Sequence, residues 1–317
     1  MFDAYERKIE YLRISLTDRC NLRCRYCMPQ EGVPRRDHAE ILSLEEIGEI
    51  VSAAAELGIT KIRLTGGEPL VRRGVVELCG RLSAVPGIRE LTLTTNGLLL
   101  PGMAKELKAA GVRRVNISLD TLDPEKYAWI TRGGALEDAL RGVRAALDAG
   151  LVPVKLNTVL IGGFNDGEIP ALCALTETLK VELRFIELMP LGESRAFPPE
   201  AYLRAETVLE REPRLTRTAG DGGIAERYRL PGAAGSVGLI RGLDRAFCAR
   251  CNRIRLTPDG HLKPCLHSAE EIALRGLHGE ALRRAIAEAI TRKPPDHGAL
   301  SATARSRTER YMNQIGG

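Results

Sequence analysis

No apolar run in the 317-residue chain reaches the length of a membrane span, and the N-terminal segment MFDAYERKIEYLR carries no apolar stretch of the secretory type. The expected compartment is therefore the cytoplasm, with no membrane partner. There is no long basic run and no RNP-like aromatic motif, so nucleic acid lacks its usual signature. Lys plus Arg number 46 and Asp plus Glu 41, a balance of +5 that suits an anionic small molecule. Internal repeats of solenoid period and low-complexity segments are absent. Cysteine is scarce as well: eight residues are too few to staple a chain this long, and a reducing compartment disfavours disulfides. Yet six of the eight fall into two tight groups, Cys20, Cys24, Cys27 and Cys248, Cys251, Cys265, which reads as metal ligation. Cys79 and Cys173 stand alone in apolar helical stretches and read as buried structural thiols.

What is present is a strand–helix alternation. β-rich runs at residues 12–17, 61–65, 90–95, 115–120, 152–160 and 182–189 are separated by helical patterns. Ser43-Leu44-Glu45-Glu46 is a capping box; Ile47, Ile50, Val51, Ala54 and Leu57 then follow helical spacing until Gly58. Leu136, Leu140, Val143 and Leu147 repeat the pattern before Gly150. Such alternation predicts a parallel α/β architecture. Strands buried on both faces usually read as continuous apolar runs, but these alternate: Leu12, Ile14 and Leu16 oppose Arg13, Ser15 and Thr17, and Ile62 and Leu64 oppose Lys61, Arg63 and Thr65. The pattern predicts a six-stranded partial (β/α) barrel whose concave face is wet or holds ligand. Residues 190–245 are less regular, with short strands expected at 226–230 and 236–240 and helices at 270–277 and 280–290. We expect a barrel over residues 1–220 and a C-terminal region over 221–317.

Cys20-x-x-x-Cys24-x-x-Cys27 follows the first strand, at the end where α/β barrels place their chemistry. Three thiolates can hold three irons of a [4Fe–4S] cluster and leave the fourth open to a chelating cofactor; a zinc site is the alternative. Cys20-Asn21-Leu22-Arg23-Cys24-Arg25-Tyr26-Cys27 resembles the radical S-adenosylmethionine signature, and Gly66-Gly67-Glu68-Pro69 after the second strand resembles the motif that binds the methionine amino group in that superfamily. Cys248-x-x-Cys251 leads into Asn252-Arg253-Ile254-Arg255-Leu256, the turn Thr257-Pro258-Asp259-Gly260 and a return to Cys265, a hairpin that brings three sulfurs to one site.

Together with Thr17-Asp18-Arg19-Cys20, Asn116-Ile-Ser-Leu-Asp, Arg184-Phe-Ile-Glu and the terminal Ile-Gly-Gly, these segments resemble the GTP 3′,8-cyclase (MoaA) family of molybdenum-cofactor biosynthesis nearly end to end. The family's usual Pro before Met is replaced here by Arg310-Tyr311-Met312. The resemblance implies a radical SAM barrel with a C-terminal extension, two [4Fe–4S] clusters on the six grouped cysteines, and S-adenosylmethionine bound near Tyr26, Gly66, Gly67, Glu68, Ser118 and Met189. It implies GTP bound through Arg13, Arg63, Thr94, Lys155, Arg184 and the run Arg253, Ile254, Arg255. It also implies a role in hydrogen abstraction for Gly316 and Gly317, an external electron donor, and a following enzyme that takes the cyclised nucleotide; it leaves a homodimer open. The inward cations support an anionic substrate independently, since Arg and Lys are the usual phosphate partners.

Overall fold

The computed structural model describes every residue except Arg35, residues 220–222 and Gly317. The boundary expected at 220/221 and the terminal glycine therefore lie outside the described residues. Twelve strands form one sheet in the order β12-β11-β10-β1-β2-β3-β4-β5-β6-β9-β8-β7. The six alternating strands are β1 (Tyr11–Ser15), β2 (Lys61–Thr65), β3 (Glu90–Thr95), β4 (Arg114–Ser118), β5 (Val154–Leu160) and β6 (Val181–Glu187), each parallel to the next. The C-terminal region adds β7 (Thr216–Arg217), β8 (Glu226–Arg229), β9 (Ser236–Ile240), β10 (Arg253–Leu256), β11 (His261–Lys263) and β12 (Ile272–Ala273). It extends the sheet at both ends: β9 pairs parallel with β6, and β10 parallel with β1.

Parallel strands need long crossovers, and helices supply most of them. These are α1 (Leu44–Glu56), α2 (Val75–Ser83), α3 (Leu100–Ala109), the pair α4 (Pro124–Thr131) and α5 (Leu136–Asp148), and α6 (Ile169–Thr178); α7 (Glu206–Arg211), α8 (Gly279–Thr291) and the single turn α9 (Met312–Ile315) follow. The capping box read at Ser43 is present, with Ser43 Oγ accepting from Glu46 N–H at 3.1 Å and Glu46 Oε2 from Ser43 N–H at 2.7 Å. Among the described residues no helix is long and apolar enough to cross a membrane.

Leu12, Ile14, Ile62, Leu64, Leu93, Val115 and Ile117 are buried in one continuous core with the inner faces of the helices. The opposite face of the strands is also buried. Arg13, Arg63 and Lys155 are only 8, 7 and 4% exposed, so the polar residues line an enclosed space rather than a wet surface. The helix expected at 270–277 is not formed. β12 instead pairs with β11, Leu274 N–H donates to Gly260 O at 2.8 Å, and Leu274 is buried from an extended segment. The hairpin's open edge offers this segment a ladder, and Gly276 at φ +74° turns the chain where a helix would have continued.

Candidate active site

Cys20, Cys24 and Cys27 lie on the loop leaving β1. Arg23 and Arg25 N–H donate to the Thr131 and Ile130 carbonyls at 3.0 and 2.9 Å, tying the loop to the end of α4, and Cys27 N–H closes on Cys24 O at 2.9 Å. The Gly66-Gly67-Glu68 turn after β2 packs against the same loop: Gly67 N–H donates to Thr17 O at 2.7 Å and Glu68 N–H to Arg19 O at 2.8 Å. A Cβ on Gly66 would collide with the Thr17 carbonyl, and one on Gly67 with the Arg19 carbonyl. The close approach these glycines permit is thus that of the cysteine loop, where the sequence had suggested a ligand.

Glu68 is 1% exposed. Its carboxylate accepts from Leu70 N–H (3.0 Å), Thr95 Oγ1 (2.8 Å) and Asn96 N–H (2.8 Å), while burial pushes its pKa up to about 7. A buried carboxylate oriented but not neutralised is a fit for an ammonium group. Asn96 reaches on to Asn21 Oδ1 at 2.8 Å and to Cys20 Sγ at 3.9 Å. Tyr26 donates its hydroxyl to Asp120 Oδ2 at 2.8 Å. Neither Asn96 nor Asp120 was singled out from sequence, although Asp120 closes the Asn116-Ile-Ser-Leu-Asp segment quoted above. Ser118 ends β4, half-buried and in register with Asn157.

The thiols fit iron–sulfur clusters. As free thiols they are held high: Cys20 is pushed up to about 11 and Cys27 to about 12 by burial and, to a lesser degree, by neighbouring negative groups. A cationic iron centre offsets such a penalty. Cys24 is raised likewise, first by burial and then by Cys27 and Asp120. Among the described residues no three Cys, His, Asp or Glu converge on one ion position.

Cys248, Cys251 and Cys265 face one another beside β10 and β11. Burial and the neighbouring thiols push Cys248 up to about 11. Burial also raises Cys251, but Lys293, Arg253 and Arg255 outweigh it and leave this thiol below its ordinary value. All three cysteines line a cavity of about 460 Å³ together with Arg13, Arg63, Lys155, Arg184, Arg253, Arg255 and Met189. Register explains the gathering. Arg255, Arg13 and Arg63 sit side by side across β10, β1 and β2, and Arg253, Tyr11 and Lys61 form the row below.

The cavity is short of negative charge. Glu182 serves three cations at once, Lys155 at 2.9 Å, Arg184 at 2.5 Å and Arg227 at 2.8 Å, and is held down to about 2 although burial opposes this. Burial, joined by neighbouring guanidinium groups, lowers Lys155 to about 8, Arg63 to about 9 and Arg255 to about 10. Even Tyr11, which burial should raise, is lowered by Arg63, Arg13 and Arg253. Thr94 Oγ1, Asn157 Oδ1 and Arg253 Nε are buried without a hydrogen-bond partner among the described residues. These are the marks of a cleft built for a multiply charged anion with polar appendages. Ile254 does not join it: its side chain is fully buried in the apolar core on the other face. Lys61, Arg114, Tyr11 and Glu182 were missed as site residues. Their signal was the same alternation that marked Arg63.

The C-terminal tail enters this region. Met312 lines the cavity and Ile315 is fully buried. Asn313 Nδ2 donates to Asp18 O at 2.8 Å, and the Asn313 backbone partly offsets the rise of the Cys27 thiol. Arg255 donates to the Ile315 carbonyl at 3.3 Å and to that of Gly316. Gly316 has φ +69°, and a Cβ there would strike Thr65 Oγ1, so this position admits only glycine. A second hollow, about 760 Å³, is lined by Trp129, Phe164, Phe197 and Arg25 of the cysteine loop, with no cysteine among its described walls.

Six strands with helical crossovers, three cysteines on the loop after the first strand and a Gly-Gly-Glu-Pro turn after the second define a radical S-adenosylmethionine enzyme. The family model for the radical SAM superfamily matches residues 14–176, and that for Molybdenum Cofactor Synthesis C matches residues 181–299. Relatives named GTP 3′,8-cyclase include one from Peptoclostridium acidaminophilum, 53% identical over 100% of this chain and 98% of its own length. Another, from Pelotomaculum thermopropionicum, is 52% identical over the whole of both chains. Solved structures of similar fold include Streptococcus suis SuiB bound to precursor peptide SuiA, with a TM-score of 0.62, 13% identity and coverage of 88% of this chain and 66% of that one. Methylornithine synthase (PylB) follows, with a TM-score of 0.53, 19% identity and 65% and 63% coverage. The chain belongs to the GTP 3′,8-cyclase family. Its cofactors are accordingly S-adenosylmethionine and [4Fe–4S] clusters, the second cluster being typical of this family.

Proposed function

We propose that this chain converts GTP to 3′,8-cyclo-7,8-dihydro-GTP. The observation that carries the reading is a buried cavity with a surplus of arginine and lysine, lined by the second cysteine triad. Cys20, Cys24 and Cys27 would hold the cluster that binds S-adenosylmethionine, and Cys248, Cys251 and Cys265 the second cluster. When bound, these groups would supply the 5′-deoxyadenosyl radical that takes hydrogen from C3′ of GTP; C3′ then joins C8 of the guanine, and a second electron from the reductant with a proton quenches the nitrogen-centred radical left on the purine.

The protein's part is binding, orientation and exclusion of water. Arg13, Arg63, Lys155, Arg184, Arg253 and Arg255 clamp the triphosphate. Thr94 and Asn157 offer polar groups to the sugar or base. Glu68 takes the methionine ammonium. Tyr26, held by Asp120, and Ser118 and Met189 border the cofactor. The tail, ending in Gly316 and Gly317, closes the cavity over the reacting atoms and is needed for turnover. An external one-electron donor reduces the first cluster, and the cyclised nucleotide passes to the next enzyme of the route, both in the cytoplasm.

Anaerobic reconstitution followed by assay with GTP, S-adenosylmethionine and a reductant tests this reading. The expected result is GTP-dependent formation of 5′-deoxyadenosine and a cyclised nucleotide in equal amounts. S-adenosylmethionine cleavage that ignores GTP and yields no altered nucleotide overturns it.

A further inference from the structure

A line of ion pairs links the loop of the first cysteine group, the β10–β11 hairpin and the tail. Asp18 Oδ2 lies 3.5 Å from Arg36 Nε, and Arg36 Nη1 lies 2.9 Å from Asp259 Oδ2. Asp259, at the tip of the β10–β11 hairpin, accepts from both terminal nitrogens of Arg310 at 3.1 Å. Arg310 also gives Nε and Nη2 to the two oxygens of Glu271, each at 2.6 Å, and Glu271 meets Lys263 Nζ at 3.0 Å. Three carboxylates and three cations balance. The line begins two residues before Cys20 and ends two residues before Cys265, and Arg310 stands two residues before Met312. The Arg310, Asp259 and Glu271 side chains are only 15, 10 and 19% exposed.

A guanidinium forked onto two carboxylates fixes direction and distance in a way a single charge does not. Buried ion pairs of this kind add little net stability; their best-attested use is to set register. Register is what the tail requires. Gly316 fits against Thr65 only because it lacks a Cβ, and a slip of one residue would bring Ile315 to that point. The segment leading to Arg310 has a second hold, since Arg195 donates to the Ser306 and Thr308 carbonyls. Beyond Arg310 the next tie is Asn313.

We propose that Arg310, clasped by Asp259 and Glu271, is a positioning residue that sets the register of the tail so that Gly316 seats against Thr65 and Arg255. The inference rests on the reading that the tail is needed for turnover, and three variants separate the two. Deletion of Gly316 and Gly317 tests the tail itself. Arg310→Gln removes the fork, and Arg310→Lys keeps the charge without it. Each is loaded anaerobically, and iron content, melting temperature, kcat and KM for GTP are measured. The ratio of 5′-deoxyadenosine to cyclised nucleotide and amide exchange over residues 312–316 are followed alongside.

Arg310→Gln is expected to keep both clusters and to lower kcat about tenfold or more, with KM for GTP little changed. The product ratio shifts toward uncoupled 5′-deoxyadenosine, and exchange protection is lost over residues 312–316. Arg310→Lys falls between this variant and the parent. Normal coupling and protection in Arg310→Gln, beside a dead deletion variant, overturns the clasp. A deletion variant that turns over normally removes the reading of the tail instead, and the inference with it. Should Arg310→Gln fail to fold, Glu271→Gln withdraws one carboxylate. It must show the same uncoupling in weaker form, and an unchanged product ratio there refutes the proposal equally.

Discussion

Nucleotide binding should draw protons from solution, and Lys155 sets how many. In the free protein this lysine is lowered to about 8, first by burial and then by Arg184, against the partial help of Glu182. At pH 8 it is therefore about half protonated, and at pH 7 about nine-tenths protonated. A bound triphosphate restores the charged form, since an anion in contact favours the cation. Uptake should then be about half a proton per nucleotide at pH 8 and roughly a tenth at pH 7. The terminal phosphate, with a second pKa of about 6, is already ionised at pH 8 and adds nothing of its own. Arg63, lowered to about 9, adds to the uptake as pH rises toward that value. The stability of the nucleotide-free protein follows the same sign. A depressed lysine binds fewer protons folded than unfolded between about 8 and 10.5, so its contribution is complete above that window and is lost as pH falls through about 8. Anaerobic calorimetry in two buffers of different ionisation enthalpy measures the uptake directly. Lys155→Met should abolish most of it at pH 8 while weakening binding. Equal heats in both buffers at pH 8, or uptake unchanged in Lys155→Met, refute the electrostatic account of the cavity.

Changing Cys24→Ala should abolish reductive cleavage of S-adenosylmethionine, whereas Cys265→Ala should spare some cleavage and block cyclisation; a protein that reconstitutes with only about four irons contradicts the two-cluster reading. Gly67→Ala should displace the cysteine loop, because the new methyl group meets the Arg19 carbonyl, and iron bound at the first site should fall as read by electron paramagnetic resonance. Arg255→Ala should weaken GTP binding by on the order of 1.5–3 kcal/mol and also raise amide exchange in the tail, since the same guanidinium holds the Ile315 and Gly316 carbonyls. Unchanged affinity together with unchanged exchange would show that Arg255 serves neither.

The parallel strands were legible because alternation and helical spacing are local properties. β2 and β3 coincide with the runs read from sequence, and the rest differ by a few residues at their ends. The arginines of the cavity were legible for the same reason: a residue between two buried aliphatics on a strand must face the other way. What sequence could not supply was pairing at a distance. Nothing near Arg253 says that β10 lies against β1, yet that pairing sets Arg255 beside Arg13. The misread helix at 270–277 has the same cause, since the open edge of β11 outweighed local propensity. Ile254 was drawn into the site by its neighbours, although strand periodicity alone points it to the core.

The insertion of β10 beside β1 brings the second triad and its arginines to the strand that leads into the first triad. The loop after β1 carries the first triad at the C-terminal end of the strands, whereas Cys248 and Cys251 precede β10 and Cys265 follows the returning β11, which puts the second triad at the opposite end. Because β1 and β10 run parallel, both strands deliver their loops to the same end of the sheet. An antiparallel β10 would have sent its hairpin tip to the far end, away from Asp18 and the tail, and brought Cys248 and Cys251 up beside the first triad. The tail then has one place to go. α9 packs on β1, between Asp18 of the first loop and Arg255 of β10, and glycine alone fits at its end. The arginines that gather the anion and the arginine that holds the tail are thus one row across three strands. Anything that moves β10 relative to β1 must disturb the second triad, the anion clamp and the tail together.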